Sequence, residues 1–141
     1  MTVKQLSVFI ENKTGRINEV TKILSAHGVN MTAFSLAENA EFGILRMIVS
    51  NVELAVRALK EAHFGVSATD VVCFTLSNVP GALSVVLDLL AKERIFIEYM
   101  YAFSQGETAN VVIRPTDVER CVEILAANKT ELLSKASLFQ I

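Results

Sequence analysis

A chain of 141 residues, 52% hydrophobic and 20% charged, is too apolar to stay disordered and has room for one domain or two small ones. Its formal net charge of -2 argues against a nucleic-acid binder, which normally presents a basic face. No apolar run approaches the roughly 20 residues that span a bilayer. The N-terminus lacks the layout of a signal peptide, so the expectation is a cytoplasmic protein with no membrane partner.

In chain order, Leu6, Val8 and Ile10 alternate as a half-buried strand should. Asn12-Lys13-Thr14-Gly15 is a turn cluster. Ile17, Val20, Ile23 and Leu24 follow at helical spacing, and Gly28 supplies a left-handed stop. Val29 to Ala37 reads as a second strand, Glu38 to Glu41 as a polar turn and Phe42 to Val49 as a third strand. Ser50-Asn51-Val52-Glu53 has the form of a capping box, with the Ser hydroxyl as cap. The helix after it places Val52, Val56 and Leu59 inward, and Gly65-Val66 opens a short fourth strand.

The pattern then repeats. Asn12 and Asn78 are 66 positions apart, as are Gly15 and Gly81. At the same offset Leu6, Val8, Val20, Leu24, Leu45, Met47 and Leu59 fall on Val72, Phe74, Val86, Leu90, Val111, Ile113 and Leu125. The second copy predicts a strand over Val71 to Ser77, a turn at Asn78-Val79-Pro80-Gly81, and a helix on Leu83, Val86, Leu87 and Leu90. Strands over Ile95 to Phe103 and Thr108 to Arg114 follow. A capping box at Thr116-Asp117-Val118-Glu119 leads into a helix with Val118, Val122 and Leu125 inward. A last strand is expected near Ser137 to Ile141. The order strand-helix-strand-strand-helix-strand, twice, is an α+β arrangement of two ferredoxin-like βαββαβ units, with antiparallel sheets and helices on one face. The expected domains are residues 1–69 and 70–141. With no Pro, Gly or Ser linker around Ala68 to Val71, the units are expected to pack side by side. Cys73 and Cys121, without CxxC spacing, read as buried small hydrophobes.

The fold hosts many functions, so the site must decide. In Asn78-Val79-Pro80-Gly81-Ala82-Leu83, Pro80 suits a first helical turn and Gly81 allows close backbone approach. The helix N-terminus that follows favours a carboxylate, and Asn78 can donate and accept. Asn-x-x-Gly is also an ordinary strand-to-helix turn. Asn-x-Pro-Gly-x-Leu, followed by a helix and an Ile-Asn-Ile-like strand opening, resembles the ACT domain, twice over the whole chain. The resemblance implies a regulatory module whose ligand, usually an amino acid, contacts the loop of one domain and the second strand of its neighbour. It pairs Asn78 and Gly81 with Asn30 of Gly28-Val29-Asn30-Met31. A weaker site would pair Asn12 and Gly15 with Phe96, where Thr14 and Phe96 depart from the pattern. Arg16 is a candidate carboxylate partner or a solvated helix-start residue. Ile17 and Leu83 are candidate apolar contacts. Tyr99, Met100 and Tyr101 either line a pocket or simply pack.

No nucleophile-base pair, Walker loop or metal-ligand cluster proposes catalysis, and His27 and His63 stand alone. No catalytic residue, metal or cofactor is expected. An RNA-binding domain of this topology needs third-strand aromatics, which Ile44 to Ile48 and Asn110 to Arg114 lack. The resulting expectation is a non-enzymatic regulator of a separate enzyme, forming a homodimer. An ACT pair serving only as a dimerisation or docking module is the alternative, and a small enzyme of this topology is the third reading.

Overall fold

The computed structural model describes every residue except Asn12, Asn39, Ala40, Gln140 and Ile141, and the side chain of Gln105. The elements run β1 Val3–Glu11, α1 Arg16–Ala26, β2 Met31–Glu38, β3 Phe42–Val49, α2 Val52–Glu61 and β4 Gly65–Ser77. They continue with α3 Ala82–Lys92, β5 Ile97–Gln105, β6 Thr108–Pro115, α4 Val118–Ala127, β7 Glu131–Leu132 and α5 Lys135–Phe139. The chain groups into two compact units, Lys4–Thr69 and the residues from Asp70 onward with Met1–Val3.

The first unit orders its strands β2-β3-β1-β4, and the second β5-β6-β4 with β7 also paired to β4. β1 pairs antiparallel with β3, setting Leu6 opposite Met47 and Val8 opposite Leu45. β4 pairs antiparallel with β6, setting Val72 opposite Ile113 and Phe74 opposite Val111. Each helix-facing core is built from repeat-equivalent residues. Leu6, Val8, Val20, Leu24, Leu45, Met47 and Leu59 fill one. Val72, Phe74, Val86, Leu90, Val111, Ile113 and Leu125 fill the other. Burying each such Val, Leu, Ile or Phe contributes about 1.5–3 kcal/mol, which is what makes the 66-residue period structural.

Several expectations need correction. A single 13-residue strand, β4, stands where two strands and a join were expected. Val66, Thr69, Val71 and Val72 are β-branched and no Gly or Pro interrupts them, so the backbone stays extended. The last strand lies at Glu131–Leu132, opposite Thr75 and Phe74, and not over Ser137 to Ile141. There the chain forms α5, whose first turn is tied by the Ser134 hydroxyl accepting from the Ser137 amide at 3.3 Å. Gln140 and Ile141 lie outside the described residues.

The helix caps also sit one residue later than expected. Asn51 and Asp117 are the extended N-caps, accepting from the amides of Leu54 and Arg120 at 3.1 and 3.0 Å. Ser50 instead accepts from the Asn30 amide at 2.9 Å, and Thr116 donates to the Phe96 carbonyl at 3.3 Å. The inward stripe shifts accordingly. Ala55, Ala58 and Leu59 are buried on α2, and Cys121, Ile124 and Leu125 on α4. Val52, Val56, Val118 and Val122 only flank the cores.

β1 is half-buried as expected from Val8 to Glu11 but not before it. Gln5 and Ser7 are buried on the face away from the helices, where Gln5 Nε2 donates to Ser7 Oγ at 3.2 Å. Pairing of this kind is what makes burial of polar side chains tolerable.

The helices end alike. Gly28, His63, Arg94 and Lys129 all have left-handed φ, between 58° and 69°. At the first of these sites the Val29 amide returns to the Leu24 carbonyl at 2.9 Å, and at the third Ile95 returns to Leu90 at 2.9 Å. A side chain makes this conformation unfavourable by about 1–2 kcal/mol, while glycine adds about 0.5–1 kcal/mol of chain entropy. Arg94→Gly is therefore expected to raise stability by up to about 1 kcal/mol. Urea unfolding of the variant beside the parent measures it, and a loss of stability would contradict the account.

Candidate functional site

Both strand-to-helix loops are the same type II turn. In the second unit the Ala82 amide donates to the Val79 carbonyl at 3.3 Å, and Gly81 has φ 87° and ψ -13°, like its counterpart Gly15 at φ 89° and ψ -9°. Only glycine adopts that third-position geometry without strain. In the first unit Arg16 donates to Lys13 at 3.3 Å in the same way. Pro80 thus occupies the second position of the turn, where its fixed φ is favoured, and not the first helical turn as expected. Added carbon at Gly15 or Gly81 would meet nothing within 4 Å. Backbone angle, and not crowding within the chain, demands glycine at both.

The consequence lies in the helices. α2 and α4 are capped by Asn51 and Asp117, whereas α1 and α3 have no side-chain cap. Apart from the Arg16 and Ala82 amides, which close the turns, the first-turn amides of α1 and α3 therefore remain available to an oxygen ligand.

The flanking residues differ between the units. In the second, Asn78 is exposed with its amide held by the Glu107 carbonyl at 2.8 Å. Val79 is exposed, while Ala82 and Leu83 are half-buried. In the first, a cavity of about 350 Å³ lies against the loop, lined by Lys13, Thr14 and Ile17 with Leu36 and Glu38 of β2. Lys13 bridges to Glu11 at 3.0 Å, and its hydrogen bond and charge hold the Glu11 carboxyl below the usual range. Lys13, Leu36 and Glu38 were not singled out from the sequence. Their repeat counterparts, Val79, Ala102 and Ser104, carry no charge, so the offset itself was the available signal.

Arg16 is already engaged. Its guanidinium lies 4.3 Å from the Phe64 ring centroid and bridges Glu19 at 2.6 Å. Asn12 lies outside the described residues. Asn30 is exposed, its backbone amide tied to Ser50. Tyr99 is half-buried and Met100 exposed, paired across to Arg114 and Ile113.

Asn30 and the first loop stand at opposite ends of β2. Leu36 lines the loop cavity, and it lies six residue steps along the chain from Asn30, about 20 Å at the usual rise. Met100 is removed from the loop end of β5 by a similar stretch. One unit cannot bring both elements to one small ligand.

No group of three His, Cys, Asp and Glu suited to a metal occurs among the described residues, nor any helix long and apolar enough to cross a membrane. Burial pushes the thiols of Cys73 and Cys121 up to about 12 and about 11, Asp117 adding to the second. Neither is a ready nucleophile.

Thr14 occupies the position that Pro80 fills in the other repeat, and the preceding amides of Lys13 and Val79 make equivalent bonds to Glu11 and Ser77, at 2.8 and 2.9 Å. Thr14→Pro is therefore expected to stabilise by about 0.4–1 kcal/mol, by narrowing the unfolded ensemble. Thermal and urea unfolding check it, and destabilisation would show that the two turns differ.

Comparison with known proteins bears on the family and the fold. The family model described as an ACT domain pair matches residues 1–141. Among solved structures, protein BT0572 from Bacteroides thetaiotaomicron is 50% identical, with 100% of this chain and 98% of that one covered and a TM-score of 0.95. The regulatory subunits of aspartate kinase from Thermus thermophilus and Thermus flavus are similar in fold, at 14% and 13% identity. Each covers 88% of this chain and 90% of its own, with TM-scores of 0.64 and 0.63. No curated protein matches. The chain belongs to the ACT domain pair family.

Proposed function

We propose that this ACT pair binds a free amino acid and regulates a partner enzyme of metabolism, acting as a homodimer without chemistry of its own. One observation carries the reading. The two helices that follow Gly15 and Gly81 are left uncapped, while the other two long helices that begin after β3 and β6 are capped. An amino-acid carboxylate can take the place of the missing caps. In the second unit Asn78 would fix the ligand's polar groups, with Pro80, Gly81, Ala82 and Leu83 shaping the turn, and Asn30 is the polar residue that leads into the second strand of the first unit. In the first, Lys13 and Glu38 offer opposite charges for the two ends of a zwitterion, and Ile17 and Leu36 an apolar wall. The similarity in fold to regulatory subunits of aspartate kinase supports the regulatory role, and amino-acid binding is this proposal's own step.

The docking alternative has an observation in its favour. Phe34 and Leu36, 60% and 51% exposed, lie on β2, and Phe96, 67% exposed, precedes β5. β2 ends the strand order of the first unit and β5 that of the second, and exposed apolar side chains on edge strands favour association.

A thermal-shift screen against the twenty amino acids separates the readings. A ligand at a hundredfold excess over its Kd is expected to stabilise the protein by about 2.7 kcal/mol, a rise of several degrees in Tm. Asn78→Ala or Lys13→Ala should abolish the shift according to which loop is occupied. Gly81→Ala is the poorer probe, since strain at φ 87° would lower stability with or without a ligand. A flat response to all twenty at millimolar concentration would overturn amino-acid binding. Sedimentation of Phe34→Glu would then report on association.

A further inference from the structure

The second unit holds a separate cavity on the sheet face away from α3 and α4. Phe103 on β5 stands opposite Asn110 on β6. Asn110 stands opposite Thr75 on β4, and Thr75 opposite Glu131 on β7. Side chains of directly opposed residues share a face, so the four form one row across the sheet. Their neighbours Phe74 and Val111 belong to the helix-facing core, which places the row on the other face. After β7 the chain brings Leu133, Ser137 and Leu138 against the row, leaving a cavity of about 260 Å³.

Asn110 is only 9% exposed, and its side-chain amide has no hydrogen-bond partner among the described residues. The fully buried unpaired side-chain atoms among the described residues are Arg16 Nε and Thr69 Oγ1, so the Asn110 amide, which lines the cavity, is reachable by solvent and by a bound group. Thr75 donates its hydroxyl to the Ala109 carbonyl at 3.3 Å, leaving its oxygen free to accept. Among the described residues Glu131, itself exposed, is the one charged residue that lines the cavity, and no Lys or Arg lines it. A carboxylate ligand would meet a like charge with no counter-ion. An ammonium would meet a carboxylate and two acceptor oxygens. Phe103, Leu133 and Leu138 supply apolar wall.

We propose that this cavity binds a small primary amine, its ammonium held by Glu131 and Asn110 and its hydrocarbon body lying between Phe103 and Leu138. The site is independent of the loops, whose proposed ligand carries a carboxylate.

The test uses the full-length isotope-labelled protein, titrated at neutral pH with n-pentylamine, n-pentanol or n-pentanoate and followed by NMR. The amine is expected to give saturable shifts at the Asn110 side-chain amide and the Leu138 methyls. The alcohol should bind about tenfold more weakly, because its hydrogen bonds lack charge, and the anion should not bind. Glu131→Gln should reduce the amine to the level of the alcohol. Asn110→Val removes a group with no protein partner, so it should leave the melting temperature unchanged while abolishing the saturable shift. The proposal fails if pentanoate binds as well as pentylamine. It also fails if the amine shows no saturable shift at tens of millimolar, or if its shifts lie away from the row. A large loss of stability in Asn110→Val would show the amide bonded within the protein, and would remove the proposal's basis. An amino-acid response in the thermal screen is unaffected by any of these outcomes.

Discussion

A positive backbone angle at two glycines organises the strand-to-helix loop of each unit. At Gly15 and Gly81 φ is 89° and 87°, a region that L side chains enter at a cost of about 1–2 kcal/mol. The turn takes the chain from strand to helix in a few residues. It also sets glycine, which has no side chain, where a helix normally finds its cap. The cap residues of α2 and α4 reach their own helices because they are extended, with φ of -143° and -120°. The angle that makes the tight turn thus also leaves the first-turn amides open.

Much of the fold was legible because packing is periodic. A 66-residue offset carries core onto core, down to Ala55 and Cys121, both 0% exposed. Applied strictly, it also carries Gly65-Val66 onto Glu131-Leu132, where β7 lies. The expectation of a strand at the extreme C-terminus ignored the very register that had revealed the repeat. The capping boxes misled for a local reason. Ser50-Asn51 and Thr116-Asp117 each offer two adjacent cap residues, and sequence cannot say which becomes extended. The bonds from Ser50 to Asn30 and from Thr116 to Phe96 engage the first of each pair elsewhere. Burial of Gln5 and Ser7 was illegible because polar residues in alternation read as a solvent face.

The candidate sites were half legible. Asn78, Gly81, Gly15 and the helix starts follow from turn chemistry, and the structure places them as one motif made twice. What surrounds each motif depends on strand register, because Leu36 and Glu38 come from a different element. The two units therefore share a turn but differ around it, with Glu11, Lys13 and Glu38 replaced by Ser77, Val79 and Ser104. Core positions are limited by volume, whereas these exposed positions are limited only by what they meet. The two loops cannot be expected to favour the same ligand.

The energetics say which part of an amino acid the first loop could discriminate. The Lys13 side chain is 71% exposed and Glu38 is exposed as well, so solvent screens the attraction of both for a ligand. They can orient a zwitterion, but every amino acid has the same two charges, so they cannot choose among them. Ile17 and Leu36 are 42% and 51% exposed, and covering apolar surface returns about 25 cal/mol per Å². The difference between candidate ligands therefore lies in the side chain laid against Ile17 and Leu36. A ligand can shift an equilibrium only by its differential affinity for the two states. A regulator built on this loop would thus draw its selectivity from the apolar wall and its orientation from the charges.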